Sequence, residues 1–233
     1  MGYGIRFNNL HSYDDLELLV LDKKITTPTK TKIKENIPFM NGTYDFSNLY
    51  GGNCFSERTL EFTFKLKHNN RIGLEFIRTK IENWLMGTNT QVKLIEDDLP
   101  GYYYLAECVA TDFEDFIRFG KLKATFTAYP FKIGESYEGN NLWDNFNFEL
   151  DVLQETKFDI NGVKNVKIHN VGATNVVPQV ICSNQMEVTK DNVTYKFNSG
   201  ASKDYVFELG IGQNDMTVKG NGSIEFRFRK EVL

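Results

Sequence analysis

The sequence has no apolar stretch that approaches the roughly 20 residues needed to span a bilayer. Its first residues, Met1 to Arg6, also lack the apolar core of a signal peptide. We therefore expect that the protein does not associate with a membrane. We also expect that it is synthesised in a cytoplasm.

Side chains that bind metals are scarce. The three histidines show no HExxH or HxH pattern: His11, His68 and His169. The three cysteines are an odd number, lie far apart and form no CxxC pair: Cys54, Cys108 and Cys182. We predict that no metal is bound and that the cysteines are buried free thiols.

Catalytic motifs are also missing. There is no GxSxG sequence, and Gly210-Ile211-Gly212 precedes a strand rather than the helix N-terminus that a dinucleotide phosphate requires. The acidic turn Glu96-Asp97-Asp98 can supply two carboxylates for glycoside hydrolysis, so a glycan-degrading enzyme is a rival hypothesis. A solvated turn is the commoner explanation of such a cluster. We predict no catalytic residues, no cofactor and no enzymatic activity.

The chain has no excess of positive charge. Its formal net charge is −4 and its pI is about 5.5, so it has no general attraction for phosphate backbones or anionic membranes. The basic run from Lys23 to Lys34 is interrupted by threonines and is typical of a solvated strand or arm. Nucleic acid is therefore not expected as the main partner.

Aromatic residues, in contrast, are abundant, with 19 Phe and 11 Tyr. Residues of this shape favour strands, and 41% hydrophobic with 25% charged residues is the composition of a folded protein. The 233 residues suffice for two domains, since one domain takes roughly 100 to 150 residues. We predict a mainly β fold in two domains.

Local periodicity predicts a first domain of residues 1–134. Leu60 to Leu66 alternates strictly between apolar and polar residues, which is typical of a half-buried strand. From about residue 71 to 86, apolar residues recur at steps of three and four, and Gly87 follows. This pattern predicts a single amphipathic helix that packs on a sheet.

Residues 135–150 show no clear period and are predicted to form a linker to a second domain of residues 151–233. Turn signals at intervals of roughly 8 to 12 residues predict that this domain is a sandwich or jelly roll. We interpret Asn161-Gly162 as a turn, and Met216 to Val218 and Ser223 to Phe228 as separate strands.

Several segments, taken in order, resemble one family. They are Phe7 to Asp15, the loop Asn41 to Ser47, a Phe-rich strand before a helix ending in Trp84-Leu85, Tyr102-Tyr103-Tyr104, Phe126 to Phe131, Leu209 to Asp215 and Gly220 to Ser223. Together they are similar to the distal tail protein (Dit) family of siphophages that infect Gram-positive bacteria. The resemblance implies an N-terminal β sandwich with one α-helix and a C-terminal galectin-like or jelly-roll sandwich.

The resemblance also implies a function. Members of the family form a hexameric ring at the tail tip of the virion, which connects the tail tube to the baseplate. The implied partners are copies of the chain itself, the major tail tube protein, the tail-associated lysin or hub protein, and receptor-binding proteins. DNA passes through the lumen without specific binding, and assembly takes place in the cytoplasm of the host bacterium.

A ring needs contact surfaces, and aromatic residues are enriched in interfaces. The candidate interface residues lie in one long loop: Phe39, Tyr44, Phe46 and Tyr50. The alternative is that Tyr44 and Phe46 cover the core of their own domain.

An alternative function is a carbohydrate-binding module that recognises sugars of the host cell wall. Such modules stack sugar rings on exposed aromatic side chains, and the candidates here are Trp143, Tyr195 and Tyr205. These residues are equally suited to the core or to the linker.

Overall fold

The computed structural model describes five segments of the chain: residues 2–47, 53–67, 71–116, 119–139 and 152–233. The chain divides into two compact units, Met1–Lys132 with Leu233, and Ile133–Val232. Residues 140–151, which include most of the predicted linker, lie outside the described residues.

The first unit is built on an antiparallel sheet. Its elements are β1 (Ile5–Phe7), β2 (Leu10–His11), β3 (Leu19–Ile25), β4 (Lys34–Glu35), β5 (Tyr44–Asp45), β6 (Arg58–Lys67), α1 (Arg71–Met86), β7 (Val92–Glu96), β8 (Tyr102–Phe116) and β9 (Phe119–Ala128). Seven of these strands follow one another in the order β2-β1-β7-β8-β9-β6-β3. Strands β4 and β5 form a separate two-stranded sheet.

Strand β6 shows why the sheet has a buried face. Its residues alternate between buried and half-buried, so that Leu60, Phe62, Phe64 and Leu66 are almost completely inaccessible to solvent. This is the pattern that a strand with one face on the core requires. The helix α1 packs on the same core with Leu74, Ile81, Trp84 and Leu85, and it ends directly before Gly87.

The remaining strands are β10 (Lys132–Gly134), β11 (Lys157–Asn170), β12 (Gln179–Cys182), β13 (Met186–Lys190), β14 (Val193–Phe197), β15 (Gly200–Ser202), β16 (Gly212–Arg227) and β17 (Glu231–Val232). Strand β10 pairs with β17, and a six-stranded sheet has the order β14-β13-β16-β12-β15 with β11 along β16. Its core includes Phe197, Phe207 and Phe226. The prediction of a mainly β fold is confirmed, with α1 as the one helix among the described residues.

The interpretation of Asn161-Gly162 as a turn is wrong, as is the separation of Met216 to Val218 from Ser223 to Phe228. Strands β11 and β16 pair without interruption from Lys157↔Glu225 to Asn170↔Gly212. The turn-like dipeptides face each other across this ladder, and Gly162, Gly220 and Gly222 have φ values of 79°, 153° and 127°. These glycines allow the strands to continue through positions of positive φ, because glycine tolerates a backbone conformation that other residues avoid.

The outer edge of β11 is covered at two places by side chains. The amide of Gln154 donates to the carbonyl of His169 and accepts from its N–H, both at 2.8 Å. Further along the strand, the ammonium of Lys164 donates to the carbonyl of Asp159 at 3.3 Å. Both side chains thus occupy groups that a neighbouring strand would otherwise pair with.

The cysteines only partly follow the expectation. Cys108 and Cys182 are buried free thiols, whereas Cys54 is exposed, so the prediction of burial is wrong for Cys54. Cys54 lies between β5 and β6, and residues 29–47 that precede it in the chain are also almost all exposed. Sequence context gave no sign of this, because a single cysteine between Asn53 and Phe55 fits a loop and a strand edge equally well.

We expect iodoacetamide to label one cysteine of the folded protein at neutral pH and all three after denaturation. Burial raises the pKa of Cys108 to about 11 and also raises the pKa of Cys182. Both therefore stay protonated and shielded, and the thiolate is the reactive form. Intact mass spectrometry measures the number of labels. A Cys54→Ser variant should take up none when folded, and labelling of Cys108 in the folded chain would contradict the packing of β8.

Candidate assembly interface

The segment between β3 and β6 carries an extended hairpin, residues 30–47, which we call the arm. Strands β4 and β5 pair Lys34 with Asp45 and Glu35 with Tyr44. Phe46 N–H donates to the carbonyl of Ile33 at 2.8 Å, and Ile33 N–H donates to the hydroxyl of Ser47 at 2.9 Å. The arm is therefore held in shape by local polar bonds and not by a core of its own.

Asp45 stabilises the base of the arm through a hydrogen bond and an ion pair. Its carboxylate accepts the N–H of Ser47 at 2.9 Å and pairs with Lys32 at 3.3 Å. The hydrogen bonds from Ser47, with a further contribution from Lys32, lower the pKa of Asp45 to about 2. The carboxylate is consequently charged throughout the physiological range.

The apolar side chains of the arm face solvent. Phe39 is fully exposed, and the stacked rings of Tyr44 and Phe46, with centroids 6.0 Å apart, are 50% and 40% exposed. Ile33 and Ile37 are also about half exposed. An exposed apolar patch of this kind is typical of an interaction site, since apolar side chains that face solvent do not stabilise a monomer.

Three of the four predicted interface residues therefore share the arm. Phe39, Tyr44 and Phe46 are exposed there and are absent from the described core of the first unit, while Tyr50 lies outside the described residues. Their location disfavours the alternative in which Tyr44 and Phe46 cover that core. Their role in an interface stays a prediction.

The tip of the arm has a strained backbone that sequence patterns did not reveal. Phe39 has a φ of 68°, and the N–H of Met40 closes a turn onto the carbonyl of Ile37 at 3.2 Å. A bulky residue in this region of φ costs on the order of 1–3 kcal/mol, and such strain is concentrated at functional sites. The turn holds the ring of Phe39 outward at the end of the hairpin.

A second feature that the sequence did not reveal is a cleft of about 490 Å³ beside the turn that joins β2 to β3. Its apolar lining comes from three separate segments: Tyr13, Leu16, Leu19, Leu66 and Ile77. Its charged lining residues are all exposed: Asp14, Glu17 and Lys67. A cavity in the range of roughly 300–1,000 Å³ is large enough to bind a ligand or a protruding side chain.

His11 fixes the turn beside this cleft. The main-chain N–H of His11 donates to Asp15 at 2.7 Å, and the N–H of Asp14 donates to its Nδ1 at 3.1 Å. The Nε2 atom lies 3.2 and 3.3 Å from the two carboxylate oxygens of Asp97. The ring of His11 therefore ties the wall of the cleft to the turn between β7 and β8.

The acidic turn that suggested glycoside hydrolysis also makes hydrogen bonds and ion pairs that connect it to other elements of the first unit. Glu96 is buried, accepts the hydroxyl of Tyr3 at 3.0 Å and pairs with Lys23. Asp98 accepts from Lys23 at 2.9 Å. Burial and Glu96 raise the pKa of Tyr3, and the carboxylates of Glu96 and Asp98 raise that of Lys23. The turn thus holds β3, β7 and the N-terminal segment together.

Within the described segments, no group of three or more His, Cys, Asp or Glu side chains is placed to hold a metal ion. The described part of the chain also contains no helix with the length and apolarity to cross a membrane.

The candidate sugar-stacking residues have different surroundings. Tyr195 packs edge-on against Phe207, with centroids 4.9 Å apart, whereas Tyr205 is 76% exposed beside Lys203. Trp143 lies outside the described residues. Tyr195 thus contributes to the core of the second unit, and the sugar-binding role of all three stays a prediction.

The fold and the exposed arm indicate a structural protein of assemblies, and comparison with known proteins places it in phage tails. Residues 12–128 match the model of the phage tail protein RIFT-related domain. The chain belongs to this family of phage tail proteins. No curated protein matches the sequence.

The structure is also similar to the crystal structure of Dit (gp 19.1) of phage SPP1, with a TM-score of 0.68 and 14% sequence identity. The match covers 98% of this chain and 99% of the SPP1 protein. That protein is described as a paradigm of the hub adsorption apparatus in phages that infect Gram-positive bacteria. The shared fold over nearly the full length confirms the predicted Dit-like fold class.

Proposed function

We propose that the chain is the distal tail protein of a siphophage and forms a hexameric ring at the tail tip. The observation that carries the proposal is the arm, a locally ordered hairpin whose aromatic residues face solvent. The full-length similarity to SPP1 Dit supports the same conclusion. A closed ring requires one surface of each copy to bind a different surface of the next, and a projecting arm suits such a head-to-tail contact.

In this proposal residues 1–134 form the ring and residues 151–233 form a galectin-like domain on its outside. The ring joins the major tail tube protein to the tail-associated lysin or hub protein and anchors receptor-binding proteins. DNA crosses the lumen without specific binding, in keeping with the net charge of −4. The protein acts through the geometry of its contacts, without catalysis, and assembles in the host cytoplasm.

We expect purified protein to form a particle of six times the 26.9 kDa chain mass in multi-angle light scattering. Negative-stain images should show six-fold particles with a central hole. The reason is that burial of the apolar side chains of the arm against a neighbour favours association. A monodisperse monomer, both alone and mixed with the tail tube protein, would contradict the proposal.

Replacement of both Tyr44 and Phe46 by serine is expected to raise the dissociation constant of the ring roughly 1,000-fold, since central aromatic residues contribute about 2 kcal/mol or more each to an interface. Light scattering over a dilution series measures the change. The control is Val206→Ser in the second unit, where an exposed apolar side chain is lost from a surface outside the arm. Equal weakening by both changes would exclude the arm as the contact.

A further inference from the structure

A head-to-tail ring needs a receiving surface as well as the arm. The tip of the arm presents one aromatic ring, that of Phe39, which is fully exposed and held outward by a strained turn. Because Phe39 is fully exposed, it does not occupy a site on its own chain. In the proposed ring, a concave surface that presents apolar side chains on a second copy is suited to receive this aromatic ring.

The cleft beside the turn between β2 and β3 has these properties. Tyr13, Leu16 and Ile77 are half-buried in its wall, and Leu66 is buried at its base. The hydrogen bonds of Glu17 N–H to the Tyr13 carbonyl at 3.0 Å and of Leu18 N–H to the Ser12 carbonyl at 2.8 Å hold the wall in place. A preformed cleft lowers the cost of binding, because little has to be ordered on contact.

The charges of the two surfaces are complementary. The arm contains three lysines and two carboxylates: Lys30, Lys32, Lys34, Glu35 and Asp45. The cleft has Asp14 and Glu17 against Lys67. The net charge is thus positive on the arm and negative at the cleft, an arrangement that favours correct docking and faster encounter.

The outer face of α1 is the strongest competing surface, since Ile72 and Phe76 are each 73% exposed. It is the convex side of a helix, which encloses a ring less well than a cleft does. Its charged residues also carry a net positive charge, which opposes the basic arm: Arg71, Glu75, Arg78, Lys80 and Glu82. Charge and shape therefore favour the cleft.

We propose that the cleft receives the arm of the neighbouring copy, with Phe39 inserted between Leu16 and Ile77. This inference rests on the proposed ring and identifies which surface of the next subunit the arm binds. Each copy then offers its arm to one neighbour and its cleft to the other, which is the condition for a closed cycle.

Disulfide trapping between subunits tests the proposal. The background variant is Cys54→Ser, since Cys54 is the exposed thiol among the three cysteines and the other two are buried. One protein carries Phe39→Cys with Leu16→Cys, and the matched control carries Phe39→Cys with Phe76→Cys. After mild oxidation, non-reducing gels should show a ladder up to six cross-linked chains for the cleft pair and single chains for the helix pair.

The outcomes distinguish failure of the proposed docking site from failure of the proposed ring. A six-fold particle that cross-links through the helix pair, or through neither pair, overturns the docking site and leaves the ring intact. Absence of any oligomer of the unmodified protein, both alone and mixed with the tail tube protein, overturns the proposed function, and the docking site with it.

Reversal of one charge at the cleft provides an independent test of the docking site. Glu17→Lys is expected to weaken ring assembly roughly tenfold at low salt, and the effect should shrink in 1 M salt, where the Debye length is about 3 Å. Glu57→Lys makes the same change of charge at another exposed position of the first unit and should leave assembly unchanged. Equal effects of both changes, or an effect of Glu17→Lys that salt does not reduce, would contradict docking of the arm at the cleft.

Discussion

Replacement of Trp84 by alanine is expected to lower the free energy of unfolding of the first unit by about 5 kcal/mol, the upper end of the range for truncating a buried aromatic residue. The indole fills the space between α1 and the sheet, with its ring centroid 6.1 Å from that of Phe7 and 6.5 Å from that of Phe64. Its Nε1–H also donates to the carbonyl of Phe7 at 2.8 Å. The truncation leaves both a cavity and a buried carbonyl without its donor.

Trp84→Phe separates these two effects. Phenylalanine retains much of the ring volume but has no N–H, so we expect a loss of about 2 kcal/mol. Urea unfolding followed by far-ultraviolet circular dichroism gives both values, and hydrogen–deuterium exchange shows which amides lose protection. The amides of β6 should exchange faster and those of β16 should not. A loss below about 1 kcal/mol for the alanine variant would mean that α1 is not packed on the sheet.

The second large effect is expected at Asn170, whose side chain is completely buried in the second unit. Its amide donates to the carbonyls of Thr174 at 2.8 Å and Leu209 at 3.1 Å, and its oxygen accepts the N–H of Gly172 at 2.9 Å. One side chain thereby satisfies main-chain groups of two loops at the end of β11. The bonds also fix the position where β11 stops pairing with β16.

Asn170→Leu keeps the number and branching of the side-chain heavy atoms and removes all three bonds. Each buried group left without a partner costs about 1–3 kcal/mol, so we expect a loss of about 4 kcal/mol in unfolding free energy. The control is Asn175→Ala at a nearby exposed amide, which should stay within about 0.5 kcal/mol of the wild type. Here the amides of β16 should exchange faster, the reverse of the pattern at Trp84. An unchanged Asn170→Leu variant would show that water replaces the amide.

The sequence predicted those elements that a pattern of neighbouring residues specifies. The alternation of Leu60 to Leu66 and the apolar stripe of α1 are periodic within one element, and both are present in the structure. The ribbon of β11 and β16 was not predicted, because Asn161-Gly162 has the chemistry of a turn. Only its distant partners, Asn221 and Gly220, make it part of a strand.

The same distinction applies to the candidate site. Aromatic residues in one polar loop, such as Tyr44 and Phe46, can be recognised from composition, and the structure places them on the arm. The cleft could not be recognised, because Leu16, Leu66 and Ile77 are far apart in the chain and converge only when α1 packs against β6. The strain at Phe39 depends on a turn that no short motif specifies.

The covered edge of β11 has a consequence for how such a protein reaches its assembled state. A new strand that arrives at either end of this edge must first displace a bond already made, by Gln154 at His169 or by Lys164 at Asp159. Growth of disordered aggregates by strand addition therefore has no open starting point at these two positions. Association of subunits in the proposed ring then does not compete with strand addition at these two positions. The order of the finished assembly depends on the surfaces that the chain closes as well as on those it exposes.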